Sequence, residues 1–172
     1  NKIILSHKIP LLGICYGAQL LIEEFGGRVK NIGSGEYGPA SIDIQESNSI
    51  LFENIPKKTN VWMSHGDRID RMPTDWVVTS KSDNGIIAAV ESKNNYIFGF
   101  QFHPEVVHTN NGKDMLKNFI FNVCNAKANW TSENFINNTI TEIRETVKDS
   151  KVMCALSGGV DSTVVSTLMK KA

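Results

Sequence analysis

Hydrophobic positions along this chain change period from one segment to the next. Residues 9–14 form a short apolar run, which predicts a strand. From Tyr16 onward the apolar positions take the spacing of a helix, and Gly26 with Gly27 predicts the end of that helix. The first strand and helix therefore meet at a sharp turn around Cys15.

The middle of the chain alternates apolar and polar residues, as half-buried strands do. A Gly-rich stretch at residues 33–38 predicts a loop between the first two of these strands. The predicted strands are residues 28–32, 40–45, 59–64, 76–80, 86–91 and 96–102.

Helical spacing returns at residues 113–123 and 132–147, on either side of a polar linker at residues 124–129. Residues 151–156 predict a further strand, which a Gly-rich loop and another helix follow. This order predicts an α/β fold with an open mixed sheet and flanking helices, plus the first strand–loop–helix of a second α/β domain.

Composition excludes several classes of protein. Hydrophobic residues make up 41% and charged residues 21% of the 172 positions, as in ordinary soluble globular proteins. A net charge of 0 gives no reason to expect a nucleic-acid or membrane partner, and no apolar run approaches the roughly 20 residues of a membrane span. The three cysteines show no pairing pattern, which favours a reducing, cytoplasmic compartment.

Cys15 is the first candidate for chemistry, because Gly13 and Gly17 flank it at the predicted strand–helix turn. Such an elbow exposes a nucleophile, and small neighbours leave room for a substrate. The helix start brings backbone N–H groups toward the sulfur, so we expect it to favour the thiolate. The N–H of Tyr16 could also face an oxyanion. A buried structural cysteine is the alternative.

His103 and Glu105 supply the groups that a thiol nucleophile needs. Both follow the strand predicted at residues 96–102, and Pro104 stiffens the connection between them. An imidazole can take the thiol proton while a carboxylate orients the ring. The four histidines lack a compact ligand spacing, so we expect no metal site among them.

A second candidate site lies at residues 157–162, after the strand predicted at residues 151–156. Glycines allow backbone N–H groups to approach a phosphate closely, and a helix N-terminus adds positive potential. The Gly-Lys-Ser/Thr ending of a Walker A loop is absent, and an ordinary Gly-rich connection is the alternative. The candidate ATP-binding residues are Ser157, Gly158, Gly159, Val160, Asp161 and Ser162.

The segment from Gly13 to Gln19, taken with His103-Pro104-Glu105, resembles the class I (triad) glutamine amidotransferase family. The resemblance implies that Cys15 is the nucleophile, that His103 is the base and later the acid, and that Glu105 orients it. The segment Ser64-His65-Gly66-Asp67 resembles one that borders the glutamine pocket of these domains. The substrate-binding residues implied are Tyr16, Gln19, Ser64, His65 and Asp67.

The loop at residues 157–162 resembles the pyrophosphate loop of N-type ATP pyrophosphatases, and the whole layout resembles the family of glutamine-hydrolysing GMP synthases. That resemblance implies that ammonia released at Cys15 attacks adenylated xanthosine monophosphate (XMP) to give GMP, with ATP and Mg²⁺ as cofactors. It also implies a homodimer formed through segments outside this chain. The implied parts are an amidotransferase domain (1–125), a linker with an amphipathic helix (126–150) and the start of an ATP pyrophosphatase domain (151–172).

The family's Gly-Gly oxyanion loop does not appear before Cys15, so we expect the chain to be a piece of a longer protein. Two alternatives remain open at this point. One is an amidotransferase that serves anthranilate, carbamoyl phosphate or CTP synthesis, although the loop at residues 157–162 argues against it. The other is a non-catalytic binding domain of the same shape, although Cys15, His103 and Glu105 are all present.

Overall fold

The computed structural model describes residues 9–45, 49–93 and 96–172. The backbone forms two compact units, of which the first ends at Ala126 and the second begins at Lys127. Each unit has its own organisation.

The first unit is built on one sheet, whose six described strands lie in the order β1-β6-β5-β4-β2-β3. The parallel pairing of β1 with β6 is combined with antiparallel pairing between the other neighbours, which makes the sheet mixed. The strands are β1 (Leu11–Ile14), β2 (Arg28–Ile44), β3 (Lys58–Arg71), β4 (Trp76–Ser82), β5 (Ile87–Ser92) and β6 (Ile97–Phe100).

Helical segments complete the first unit. Helix α1 (Tyr16–Glu24) follows β1, and a 3-10 turn (Ile50–Phe52) lies between β2 and β3. Helix α2 (Gly112–Lys117) continues directly into a π-helical turn (Asn118–Val123), so the helix predicted at residues 113–123 is present with altered winding at its end.

Apolar residues of the sheet pack into two clusters. One contains Phe100 of β6 together with Met115 of α2, and the other contains Ile97 of β6 together with Ile22 of α1. All four residues of β6 are buried, as expected for a strand whose two faces both carry core packing. This places the end of β6, where Gln101 and His103 follow, next to the end of its parallel neighbour β1.

The prediction of a loop at residues 33–38 is wrong, because these residues belong to the single long strand β2. The pairing of β2 with β3 shifts register between Asn31 and Glu36. A Cβ on Gly35 would overlap the carbonyl oxygen of His65, so the glycine permits close approach of two strands. Local composition cannot distinguish that use of glycine from a loop.

The second unit contains helices α3 (Ser132–Val147) and α4 (Val160–Lys171). The Thr131 hydroxyl accepts a hydrogen bond from the Asn134 N–H at 3.1 Å, which caps α3. The Arg144 guanidinium donates to the carbonyl oxygens of Lys171 and Ala172, both at 2.9 Å. These bonds tie the end of α4 to α3.

The prediction of a strand at residues 151–156 is also wrong, since these residues form no helix or strand. A strand must exchange backbone hydrogen bonds with a neighbour, and no strand in the described ranges pairs with this segment. Its apolar side chains are exposed, with Met153 97% accessible. The second unit therefore begins its glycine loop from irregular backbone.

Candidate active site

Cys15 occupies a strained elbow between β1 and α1. Its φ of 51° and ψ of −109° lie in a region that residues other than glycine rarely adopt. The Cys15 N–H donates to the Phe100 carbonyl at 2.7 Å, which fixes the elbow to the end of β6. A Cβ at Gly13 would lie 2.6 Å from the Ala18 nitrogen, so the turn requires glycine there. The strain and its supports give the geometry of a nucleophile elbow.

The Cys15 thiol has two hydrogen-bond partners on the surrounding strands and loops. Its Sγ donates to the Ser64 carbonyl at 3.6 Å, and the Gln101 side-chain amide donates to Sγ at 3.8 Å. Burial raises the pKa of the thiol, and the nearby negative charge of Glu105 raises it further. The Tyr16 N–H and the Gln101 amide lower the pKa, but they do not outweigh burial.

The expectation that the helix start favours the thiolate is therefore only partly right. The Tyr16 N–H has the predicted effect, yet the net direction for the pKa of Cys15 is upward. Removing the thiol proton consequently requires a base.

His103 and Glu105 form a hydrogen-bonded pair. The Nδ1 of His103 lies 2.8 Å from Oε1 of Glu105, which leaves the Nε2 of the ring available for proton transfer. No hydrogen bond joins the His103 ring to the Cys15 thiol in the part of the chain that the structure describes. Catalytic hydrogen bonds are often long in ligand-free enzymes, so proton transfer here requires a closer approach or a bridging water.

The backbone of His103 is fixed through both its N–H and its carbonyl. The N–H donates to the Trp62 carbonyl of β3 at 3.0 Å, and the His103 carbonyl accepts from the Thr109 hydroxyl at 2.6 Å. The same hydroxyl oxygen accepts from the Trp62 N–H at 2.9 Å. Thr109 therefore bridges the backbone of the candidate base to the neighbouring strand.

The other residues predicted to bind substrate occupy different environments. Tyr16 is 72% exposed beside the elbow, whereas Gln19 is buried one turn further along α1. The Gln19 amide nitrogen donates to the Asp67 carbonyl at 2.9 Å and to Oε1 of Gln101 at 3.0 Å. Ser64 contributes its carbonyl to the thiol. The structure thus brings Gln19, Ser64 and the Asp67 backbone together around Cys15.

His65 and the Asp67 carboxylate point elsewhere. The His65 side chain is only 2% exposed, with Nδ1 2.8 Å from the Asp67 carbonyl and Nε2 3.6 Å from Oε2 of Glu36. The Asp67 carboxylate accepts from the Asn31 side chain at 2.9 Å. Both side chains contact protein groups near the candidate site.

Sequence reasoning assigned no role to Gln101, Thr109 or Glu36, which the structure places in this environment. A signal existed for Gln101, because it precedes His103 by two positions at the end of an apolar strand. No sequence signal paired Glu36 with His65, since the two residues lie on different strands.

In the second unit, the glycine loop leads directly into α4. Gly158 has a φ of 80°, Gly159 is the N-cap, and the Ser157 and Ser162 hydroxyls lie 3.2 Å apart. The first N–H groups of a helix lack partners within it, and such groups suit an anion. Asp161 lies in the first turn of α4.

Two absences hold over residues 9–45, 49–93 and 96–172. No group of three or more His, Cys, Asp and Glu side chains in these ranges could hold a metal ion. No helix there has the length and apolar character needed to cross a membrane.

Comparisons with known proteins show the family of this chain and several of its relatives. The family Glutamine amidotransferase class-I matches residues 1–123. A GMP synthase (glutamine-hydrolyzing) of Lactobacillus gasseri is 51% identical over 164 residues, which cover 95% of this chain and 32% of that protein. One of the same name from Dehalococcoides mccartyi is 48% identical over 169 residues, covering 98% and 32%. The chain thus spans about a third of the length of these relatives.

Solved structures show the same fold. A GMP synthase subunit from Thermoplasma acidophilum superposes with a TM-score of 0.68 and 33% identity, over 72% of this chain and 61% of that one. A glutamine amidotransferase of Thermotoga maritima has a TM-score of 0.55 over 99% and 63%, and its 22% identity supports the fold alone. These findings confirm the predicted amidotransferase-like mixed sheet, and the chain belongs to the class I glutamine amidotransferase family.

Proposed function

We propose that this chain hydrolyses glutamine to glutamate and ammonia through Cys15, His103 and Glu105. The observation that carries the proposal is the strained backbone of Cys15, which holds a thiol at an elbow beside the strand end that leads to His103. A structural cysteine needs no such conformation, whereas an exposed nucleophile does.

The proposed reaction begins with proton transfer from the Cys15 thiol to Nε2 of His103. The Nδ1–Glu105 bond supports the imidazolium and keeps the ring in the required tautomer. Sγ then attacks the side-chain amide carbon of glutamine, while the Tyr16 N–H stabilises the oxyanion. His103 returns the proton to the leaving ammonia, and water attacks the resulting thioester to release glutamate.

We further propose that the ammonia serves GMP synthesis from XMP in the full-length protein. The names of the relatives and the glycine loop of the second unit support this assignment. Backbone N–H groups at residues 157–162 would hold ATP phosphates, and Asp161 would act with Mg²⁺. When bound, ATP supplies the adenylyl group that activates XMP. A cytoplasmic location, a homodimer and domain boundaries near residues 125 and 150 belong to the same proposal.

The test uses the full-length protein as the source gene encodes it. We expect Cys15→Ala to abolish GMP formation from XMP with glutamine and to preserve it with added ammonia, because only amide hydrolysis needs the thiol. Cys124→Ala is the matched control, since that cysteine lies in an exposed segment, and it should leave both reactions unchanged. Equal loss with both nitrogen donors would contradict the role of Cys15.

The same assay also tests the acceptor. If ammonia and ATP give no GMP from XMP in the unsubstituted protein while glutamine is still hydrolysed, the ammonia serves another acceptor, as in the alternatives above. If glutamine is not hydrolysed either, the chain is a binding domain.

A further inference from the structure

Four polar side chains are buried close to the candidate nucleophile. Gln19, Glu36, His65 and Gln101 are each at least nine-tenths buried. Burying such groups is costly unless they are hydrogen-bonded or paired with charge. Their partners therefore indicate what this part of the fold is built to hold.

The first part of the network encircles the thiol. Cys15 Sγ donates to the Ser64 carbonyl and accepts from the Gln101 amide. Gln101 Oε1 accepts from Gln19, whose same amide nitrogen donates to the Asp67 carbonyl. The segment 64–67 thus contacts the thiol directly at one end and through two glutamines at the other.

The second part of the network begins where the first ends. The Asp67 carbonyl also lies 2.8 Å from Nδ1 of His65, which can donate to it. The Nε2 of His65 is 3.6 Å from Oε2 of Glu36, and neither buried atom has a hydrogen-bond partner among the described residues. The contact between these two atoms is therefore what offsets the free-energy cost of burying each of them.

The other oxygen of Glu36 anchors the pair to a separate strand. Oε1 accepts from the Ser82 hydroxyl at the end of β4 and from the Asn84 side chain just beyond it, both at 2.8 Å. The backbones of Gly35 and His65 are also in close contact. Two hydrogen bonds consequently fix the carboxylate through Oε1, and it can define the position of the imidazole.

A direct contact between His65 and a bound substrate does not fit this arrangement. The ring is 2% exposed, and both of its nitrogens face protein groups. The geometry instead links His65 to the thiol through the backbone of the segment 64–67.

We propose that the buried Glu36–His65 pair is a positioning device, which holds the Ser64 and Asp67 carbonyls so that Cys15 and Gln19 keep their reactive geometry. The relevance to turnover rests on the proposed glutamine hydrolysis. The effect on the thiol itself does not, and it can be measured separately.

The test compares His65→Leu, His65→Asn and Glu36→Gln in the full-length protein. The amide nitrogen of an asparagine can replace the Nδ1 donor to the Asp67 carbonyl, whereas leucine cannot. One readout is the rate at which iodoacetamide alkylates Cys15, resolved from the other cysteines by peptide mass spectrometry. The other readout is kcat and KM for glutamine hydrolysis.

In His65→Leu we expect iodoacetamide to alkylate Cys15 faster, because the released thiol becomes less buried. We expect the same variant to hydrolyse glutamine more slowly. Each change should be at least about tenfold, as for leaving a buried polar group without its partner. Glu36→Gln should change both rates in the same directions. His65→Asn should change both rates less than His65→Leu does, since it preserves the bond to Asp67 and loses only the contact with Glu36.

Val61→Ala is the control for general destabilisation. Val61 is fully buried on the same strand as His65 but belongs to the apolar core. It should lower stability without changing the alkylation of Cys15 in the folded protein. Circular dichroism identifies the variants that remain folded.

The proposal is overturned if Cys15 of folded His65→Leu alkylates within twofold of the unsubstituted rate, whatever happens to turnover. It is also overturned if His65→Asn changes alkylation as much as His65→Leu does. Failure of the proposed glutamine hydrolysis would appear differently, as absent turnover in the unsubstituted protein with the alkylation pattern intact.

Discussion

At the scale of single residues, the reactivity of Cys15 results from opposing influences on one proton. Burial raises the pKa of the thiol, the Tyr16 N–H and the Gln101 amide lower it, and the Glu105 charge raises it. Burial prevails, so the thiol keeps its proton at neutral pH until a base removes it. In the proposed mechanism His103 is that base, and its Nδ1 lies 2.8 Å from Oε1 of Glu105. Under this mechanism Glu105 makes the thiolate less stable while it supports the base that forms it.

This double role gives the first prediction at this scale. Glu105→Gln removes a negative charge, so it should lower the pKa of Cys15 and speed its alkylation at a fixed pH. Glutamine hydrolysis should nevertheless fall by at least about 100-fold, because His103 loses its orienting carboxylate. Rates of alkylation measured between about pH 6 and 10 give the pKa shift.

Glu53→Gln is the control for this experiment, because Glu53 is not among the groups that shift the thiol pKa. It should alter neither rate. A raised thiol pKa in Glu105→Gln would show that the electrostatic account of Cys15 is wrong.

Thr109 gives a second prediction for a single residue. Thr109→Val keeps the shape of the side chain but removes the oxygen that joins His103 to Trp62. The Trp62 N–H then lacks its acceptor, which should cost about 1–3 kcal/mol of unfolding free energy. Turnover should fall as well, since the backbone of the base is less restrained.

Urea denaturation and glutaminase assays measure the two effects of the Thr109 change. Thr109→Ser is the matched control, because its hydroxyl can make both bonds. If Thr109→Val is as stable and as active as Thr109→Ser, the bridge has no role in holding His103.

At the scale of elements, local pattern predicted some of the structure and non-local contact decided the rest. The β1–α1 elbow was predictable because the apolar periods and glycines that define it are adjacent in the sequence. The hydrogen bond between His103 and Glu105 needs only two residues of separation. In contrast, the local pattern predicts two strands and a loop where the structure has the single strand β2. The glycines suggest a loop, but Gly35 is needed for close packing against β3, which the local sequence does not reveal.

Pairing between distant segments also explains what was missed at the candidate site. The Glu36–His65 pair depends on the register between β2 and β3, in which these residues are direct partners. Single-sequence patterns do not specify register between strands so far apart. The segment 151–156 shows the reverse case, since its composition suits a strand but no described strand pairs with it.

The elbow provides a prediction at the scale of elements. Gly13→Ala should lower the unfolding free energy by about 1–3 kcal/mol or more, because its Cβ would lie 2.6 Å from the Ala18 nitrogen. Gly17→Ala, one turn away, meets no atom within 4 Å. Alanine is favoured over glycine in a helix by about 0.5–1 kcal/mol, so this control should be neutral or stabilising. Urea denaturation distinguishes them, and equal effects would contradict the packing of the elbow.

At the scale of the whole molecule, the two units differ in how much side-chain surface they bury. The first unit contains both apolar clusters of the sheet. In the second unit no residue from 127 to 172 is buried, and Trp130 is 82% exposed. Local unfolding is cheapest where few apolar contacts must be broken. The second unit should therefore open more often than the first.

Limited proteolysis of the 172-residue chain tests this difference. Trypsin should first remove residues 128–172, because Lys127, Arg144 and Lys148 are exposed in segments with little packing. A resistant fragment ending at Lys127 should accumulate, and intact mass spectrometry over the time course identifies it. Lys127→Gln is the matched variant, since it removes the cleavage site without changing the core, and its resistant fragment should extend toward Arg144. If trypsin instead cuts first at Lys58 or Lys81 of the sheet while Arg144 and Lys148 stay protected, the second unit is the more stable one and the burial argument fails.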